Sequence, residues 1–98
     1  MKITKTKKGK HLTLALEGIL DKMTAPELEA VVSDELDDIE SLTFELGGLE
    51  YISSAGLRAL LFAQQTMSNQ GVMTIKNCRD EIMEIFHVTG FTEVLDIQ

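Results

Sequence analysis

Over His11 to Gly18, Leu12, Leu14 and Leu16 alternate with Thr13, Ala15 and Glu17, and further on Leu42, Phe44 and Leu46 alternate with Thr43 and Glu45. This period of two predicts two strands, each with one buried face. A sheet buried on both faces shows unbroken apolar runs, so the alternation predicts helices on one side only and a solvated outer face bearing Thr13, Glu17, Thr43 and Glu45. Between the strands, Leu28, Val31, Val32, Leu36 and Ile39 keep the helical period with Glu35 at the rim. Thr24-Ala25-Pro26-Glu27 predicts a capping box at that helix's start. Gly47-Gly48 predicts a tight strand exit. A second helix carries Leu57, Leu60, Leu61 and Met67 and is expected to stop at Gly71. Val72 to Lys76 predicts a strand, Asp80 to Val88 a third helix with Ile82, Ile85 and Phe86 inward, and Val94 to Ile97 a last short strand. Strands and helices in alternation predict an α/β fold: one domain over residues 1–98, two layers, a mixed sheet of four to five strands with helices on one face.

Within that layout the chemistry concentrates at Ser54. It stands where an apolar strand and its loop give way to the second helix, at or beside the N-cap. The first N–H groups of a helix lack intrahelical partners, and the dipole there favours negative charge. Two readings of Ser54 follow: a plain helix cap, or an acceptor for a phosphoryl group. Ala55 and Gly56 leave the helix start uncovered, and Arg58, four residues on, shares its helical face with Ser54 and can pair with an added phosphate. Met23, in the turn before Thr24, is either core filling or an apolar anchor for a partner.

Composition narrows the alternatives. The chain has 98 residues and is 44% hydrophobic, enough for one core. Its first ten residues are charged, lack an apolar signal segment and hold five of the nine basic side chains, which predicts a cytoplasmic location and a lysine-protected edge strand. No apolar run is long enough to insert directly into a membrane. Residues 11–98 keep four basic side chains against all 16 acids, a net charge of −12 that repels nucleic acid. Cys78, His11 and His87 have no metal-site spacing and are read as structural or incidental. An enzyme is also disfavoured. The places two before Ser54 and Ser53 hold Ile52 and Tyr51 rather than the glycine of a nucleophile elbow, and no histidine is placed to complete a triad.

Three blocks carry a resemblance: Gly18-Ile19-Leu20-Asp21 with Thr24-Ala25, then Ser53-Ser54-Ala55-Gly56-Leu57, then Ile85-Phe86-His87-Val88-Thr89-Gly90-Phe91. In order and separation they resemble an anti-sigma-factor antagonist of the STAS (sulfate transporter and anti-sigma-factor antagonist) family, over about residues 3 to 96. In that family the first of two hydroxyl residues before Gly-Leu is phosphorylated by a partner kinase. Anchoring on Gly56-Leu57 makes Ser54 the implied acceptor, with Ser53 where the family has an acidic residue and Ala55 in place of the second hydroxyl. The resemblance implies a binding protein without cofactor that sequesters an anti-sigma factor with serine kinase activity, frees a sigma factor, and is reset by a phosphatase; the two-layer domain is expected to be a monomer. Asp21, Met23, Thr24, Ser53, Ala55, Gly56 and Arg58 are the implied contact residues. The alternative within the fold is a docking subunit of a membrane transport or lipid-trafficking complex.

Overall fold

A computed structural model describes residues 1–98. The strands are β1 (Lys2–Lys8), β2 (His11–Leu20), β3 (Ser41–Ile52), β4 (Val72–Lys76) and β5 (Asp96–Ile97), and the helices are α1 (Ala25–Glu35), α2 (Ser54–Ser68) and α3 (Asp80–Thr89). The sheet order is β1-β2-β3-β4-β5. β1 and β2 form an antiparallel hairpin through Gly9, and every other pair is parallel. The expected α/β architecture is present, with five strands.

The alternating strands explain where the core lies. Leu12, Leu14, Leu16, Leu42, Phe44, Leu46, Met73 and Ile75 join Leu28, Val32 and Leu36 near α1, Leu57, Leu60, Ala63 and Met67 of α2, and Ile82 and Phe86 of α3 in one buried cluster. All three helices therefore share one sheet face. Glu35 sits half-buried at the rim of α1, where the Lys5 ammonium meets it at 2.7 Å and lowers its carboxyl pKa, chiefly through that hydrogen bond.

β3 departs from the sequence expectation. Gly47-Gly48 is not an exit, because the strand runs on to Ile52. Its pairing with β2 shifts register twice, between Ala15 and Glu17 and between Gly18 and Ile19, each time giving β3 one more residue than β2. Each shift is a bulge, and each changes the burial step from two to three, so that Leu46, Leu49 and Ile52 all stay in the core. Gly48 lies at the first bulge, where an added Cβ would stand 2.7 Å from Glu17 Cγ.

Two further expectations change. Gly71 is not a left-handed helix stop. α2 ends through Asn69 in a right-handed conformation, and Gly71 instead presses on the backbone of Glu40. The left-handed terminus belongs to α3, at Gly90 with φ 80°. The outer sheet face is also drier than expected at its centre. Thr43 is only 8% exposed, because Thr6, Thr13, Thr43 and Thr74 stand in one row across four strands and His11 bonds Ser41 at 2.8 Å and Thr13 at 3.2 Å over it. Thr13, Glu17 and Glu45 stay outside the core as expected.

The second bulge makes a checkable demand. Glu50 is exposed, so Glu50→Ala should change stability by no more than about 0.5 kcal/mol. Deleting Glu50 removes the bulge and turns Ile52 out of its seat, which should cost about 2–5 kcal/mol in urea denaturation. Equal stability of the deletion and the parent would mean that the bulge does not hold the strand's register.

Candidate functional site

The site is built at the carboxyl ends of β2 and β3, the end of a parallel sheet at which α/β folds commonly bind ligands. After Leu20 the chain turns through Asp21 to Thr24. The Asp21 carboxylate accepts from the N–H groups of Met23 (2.9 Å) and Thr24 (3.2 Å), and its carbonyl accepts from Ala25 N–H at 2.7 Å. The capping box expected at Thr24 is absent. The Thr24 hydroxyl instead donates to Ile19 O at 2.8 Å and accepts from Asp21 N–H at 2.9 Å. Thr24 is thereby spent on fixing the turn, and Met23 at its tip is 77% exposed.

The second half of the site is the junction of β3 and α2. Ser53, not Ser54, is the N-cap: it has extended backbone (φ −95°, ψ 178°), and its hydroxyl accepts from Gly56 N–H at 3.4 Å. Ser54 is the first residue of α2 and is exposed. The capping role that competed for Ser54 in the sequence is filled by its neighbour, and Ser54 is exposed in the first helical turn, where its hydroxyl is not used as the cap.

The two halves are stitched together by backbone. Ser53 N–H donates to Leu20 O at 2.9 Å. At Gly56 an added Cβ would fall 2.7 Å from the same Leu20 oxygen and 2.7 Å from Ile52 Cγ1. Glycine is thus required by close approach rather than by an unusual φ. The turn bearing Asp21, Met23 and Thr24 adjoins the helix start bearing Ser53, Ser54, Ala55 and Gly56. Arg58 lies one turn along α2, exposed, with no carboxylate within ion-pair distance.

The structure adds two residues that the sequence reading passed over. Ile19 and Tyr51 are register partners on β2 and β3 and are 48% and 51% exposed. Met23, in the turn after β2, is exposed at the same end of the sheet, as are the charged residues Glu17, Lys22, Glu50 and Arg58. A signal for them existed: neighbours on a strand face opposite ways, so burial of Leu20 and Ile52 turns Ile19 and Tyr51 outward. Neither the cysteine nor the histidines join this site. Burial, followed by the Glu45 charge, pushes the Cys78 thiol up to about 11. His11 is held on the outer face, and His87 is exposed on α3.

Comparison with known proteins identifies the family and the fold. Residues 3–96 match the family model described as "Mlab, STAS domain". A Bordetella bronchiseptica protein with the provisional name anti-sigma factor antagonist BtrV is 34% identical over 99 residues, covering 99% of this chain and 85% of its own. An anti-sigma factor antagonist from Mycobacterium paratuberculosis superposes with a TM-score of 0.87 at 18% identity, over 98% of this chain and 83% of the other. The antagonist SpoIIAA, solved in its unphosphorylated form, superposes at 0.77 with 13% identity over 99% and 87%, and a phosphorylated form of the Bacillus protein has also been solved.

The stitch predicts an order of effects on stability. Gly56→Ala must push apart Leu20 and Ile52 and should cost about 1–3 kcal/mol. Ser53→Ala loses the cap and should cost about 1 kcal/mol. Ser54→Ala should stay within about 0.5 kcal/mol of the parent. Urea denaturation of the three variants checks the order, and a Ser54→Ala cost above that of Ser53→Ala would return the cap to Ser54.

Proposed function

The chain belongs to the STAS-domain family, and from that membership we propose that it is an anti-sigma-factor antagonist switched by phosphorylation of Ser54. The observation that carries this reading is the division of labour between two adjacent serines. Ser53 caps α2, while Ser54 is exposed at the first helical position, at the same end of the sheet as the exposed apolar residues Ile19, Met23 and Tyr51. An acceptor hydroxyl must be reachable by a kinase, and a binding face needs apolar anchors that bury on contact. Both requirements are met on the surface at this end of the sheet.

Unphosphorylated, this surface would bind an anti-sigma factor that is also a serine kinase, with Met23 and Tyr51 as anchors and the rigid Asp21–Thr24 turn as a second point of contact. Transfer of a phosphoryl group to Ser54 adds about −1.5 to −2 charges at pH 7. The helix terminus accommodates that charge within the free protein, and Arg58, exposed one turn along α2, would pair with it. In the complex the same charge would sit in a close-packed contact formed around a small hydroxyl, where desolvation and repulsion work against binding. Phosphorylation thus releases the partner while leaving the fold intact, and a phosphatase restores the binding form. The nucleotide belongs to the kinase, and this chain acts by binding.

Five variants test the switch against the cognate anti-sigma factor, recovered by pull-down. Ser54→Asp should weaken binding by on the order of a hundredfold with thermal stability nearly unchanged. Tyr51→Ala, with Met23→Ala beside it, should each weaken binding by about tenfold or more. Ser54→Ala should abolish phosphate incorporation while Ser53→Ala retains it. Tight binding by Ser54→Asp, or recovery of a transporter ATPase or permease in place of a kinase, would overturn the reading.

A further inference from the structure

At the far edge of the sheet α3 overhangs β5 and leaves a groove of about 410 Å³, lined by Met83, His87, Thr92, Leu95, Asp96 and Ile97. None of these residues belongs to the Ser54 surface. Leu95 is buried and Met83 and Ile97 are half-buried, so the floor is apolar, while exposed His87 and Asp96 stand at the rim and exposed Val88 and Val94 flank it. Its volume lies within the usual range of ligand clefts, about 300–1,000 Å³.

The wall of this groove is a strand edge. β5 is the last strand in the sheet order and pairs only with β4. Gln98 N–H donates to Ile75 O at 2.8 Å, so alternation along the strand turns the amide and carbonyl of Ile97 toward the open side. The unpaired amide and carbonyl of Ile97, beside an apolar floor, offer a short edge to which an extended segment can add as a further strand. Charge specifies the segment. From residue 80 to the last residue the chain carries Asp80, Glu81, Glu84, Glu93 and Asp96 and no lysine or arginine.

We propose that the groove between α3 and β5 docks an extended segment of another protein that alternates apolar and basic residues. It adds to the free edge of β5, places apolar side chains on Leu95, Ile97 and Met83, and brings its lysines or arginines to Asp96 and the neighbouring acids. The chain's own basic strand is not that segment. In β1, Ile3 packs against the domain's own core and Lys5 is ion-paired with Glu35 at 2.7 Å. The domain then has two separate contact surfaces, one sensitive to charge at Ser54 and one indifferent to it.

The probe is a fluorescein-labelled peptide of sequence Lys-Val-Lys-Val-Lys-Val, titrated with the intact chain by fluorescence anisotropy. Saturable one-to-one binding is expected, with no binding by the Glu-Val counterpart. Asp96→Lys and, independently, Glu93→Lys should weaken it by about tenfold or more with an unchanged melting temperature, and Ser54→Asp should leave it unaltered. Methylating the peptide's backbone nitrogens, at the lysines in one version and the valines in another, should abolish binding in at least one, because an added strand turns alternate N–H groups to the edge. The proposal is overturned if both methylated peptides bind like the parent, if neither acidic variant matters, if Ser54→Asp weakens binding, or if no saturable binding is found. Concentration-dependent sedimentation of the chain that the peptide competes away would equally overturn it, by making a second copy the occupant.

Discussion

The contact on which the rest of the site depends is the approach of the first turn of α2 to the end of β2. Ser53 N–H reaches Leu20 O at 2.9 Å, and Gly56 comes so near that oxygen that a single added carbon would overlap it. This one junction sets three things together. It brings the Asp21–Thr24 turn alongside the helix start, it assigns the cap to Ser53, and it leaves Ser54 on the surface. A helix start held by backbone contacts on both sides presents its hydroxyl in a defined place without using that hydroxyl to hold itself.

The two bulges of β3 supply the length and direction that the junction needs. A regular strand continuing from Leu46 would alternate faces at each step and turn Leu49 away from the core. By inserting one residue twice, β3 keeps Leu46, Leu49 and Ile52 buried and aims its carboxyl end at the turn after β2. The same shifts put Tyr51 opposite Ile19, so the irregularity that carries the strand to the site also sets its exposed apolar pair. The core and the exposed surface are coupled here through register, since an error of one residue would exchange core and surface side chains.

Charge divides the remaining surface. The lysines of β1 and of the turn after it are partly neutralised by acids at the end of α1 and the segment after it, through Lys5–Glu35 and Lys10–Glu40, whereas α3 and β5 themselves carry acids and no lysine or arginine, with Lys76 and Arg79 on the chain just before them. A sheet with two open edges must keep both from unwanted pairing. One edge is protected by lysines and the other by its brevity and its acids.

Much of this protein was legible in its residues. Alternation at Leu12–Leu16 and Leu42–Leu46 and helical spacing from Leu28 and from Leu57 were enough to predict two layers and helices on one face, and Ser54 just ahead of Gly56-Leu57 named the β3–α2 junction as the candidate site, because period and burial are local consequences of covalent geometry. What only the tertiary structure decided are the points where distant backbones meet. Gly47-Gly48 read as an exit because a bulge breaks the period that defines a strand, and the bulge exists only through pairing with β2. Thr24 read as a cap because threonine before a helix usually is one, yet Ile19 O, brought close by the turn, takes its hydroxyl. Which of two adjacent serines caps α2 turns on one dihedral at Ser53 and on the seat prepared for Gly56 by Leu20. Local preference names the candidates, and non-local contacts choose among them, because each alternative differs locally by no more than about 1 kcal/mol while a misplaced backbone contact costs more.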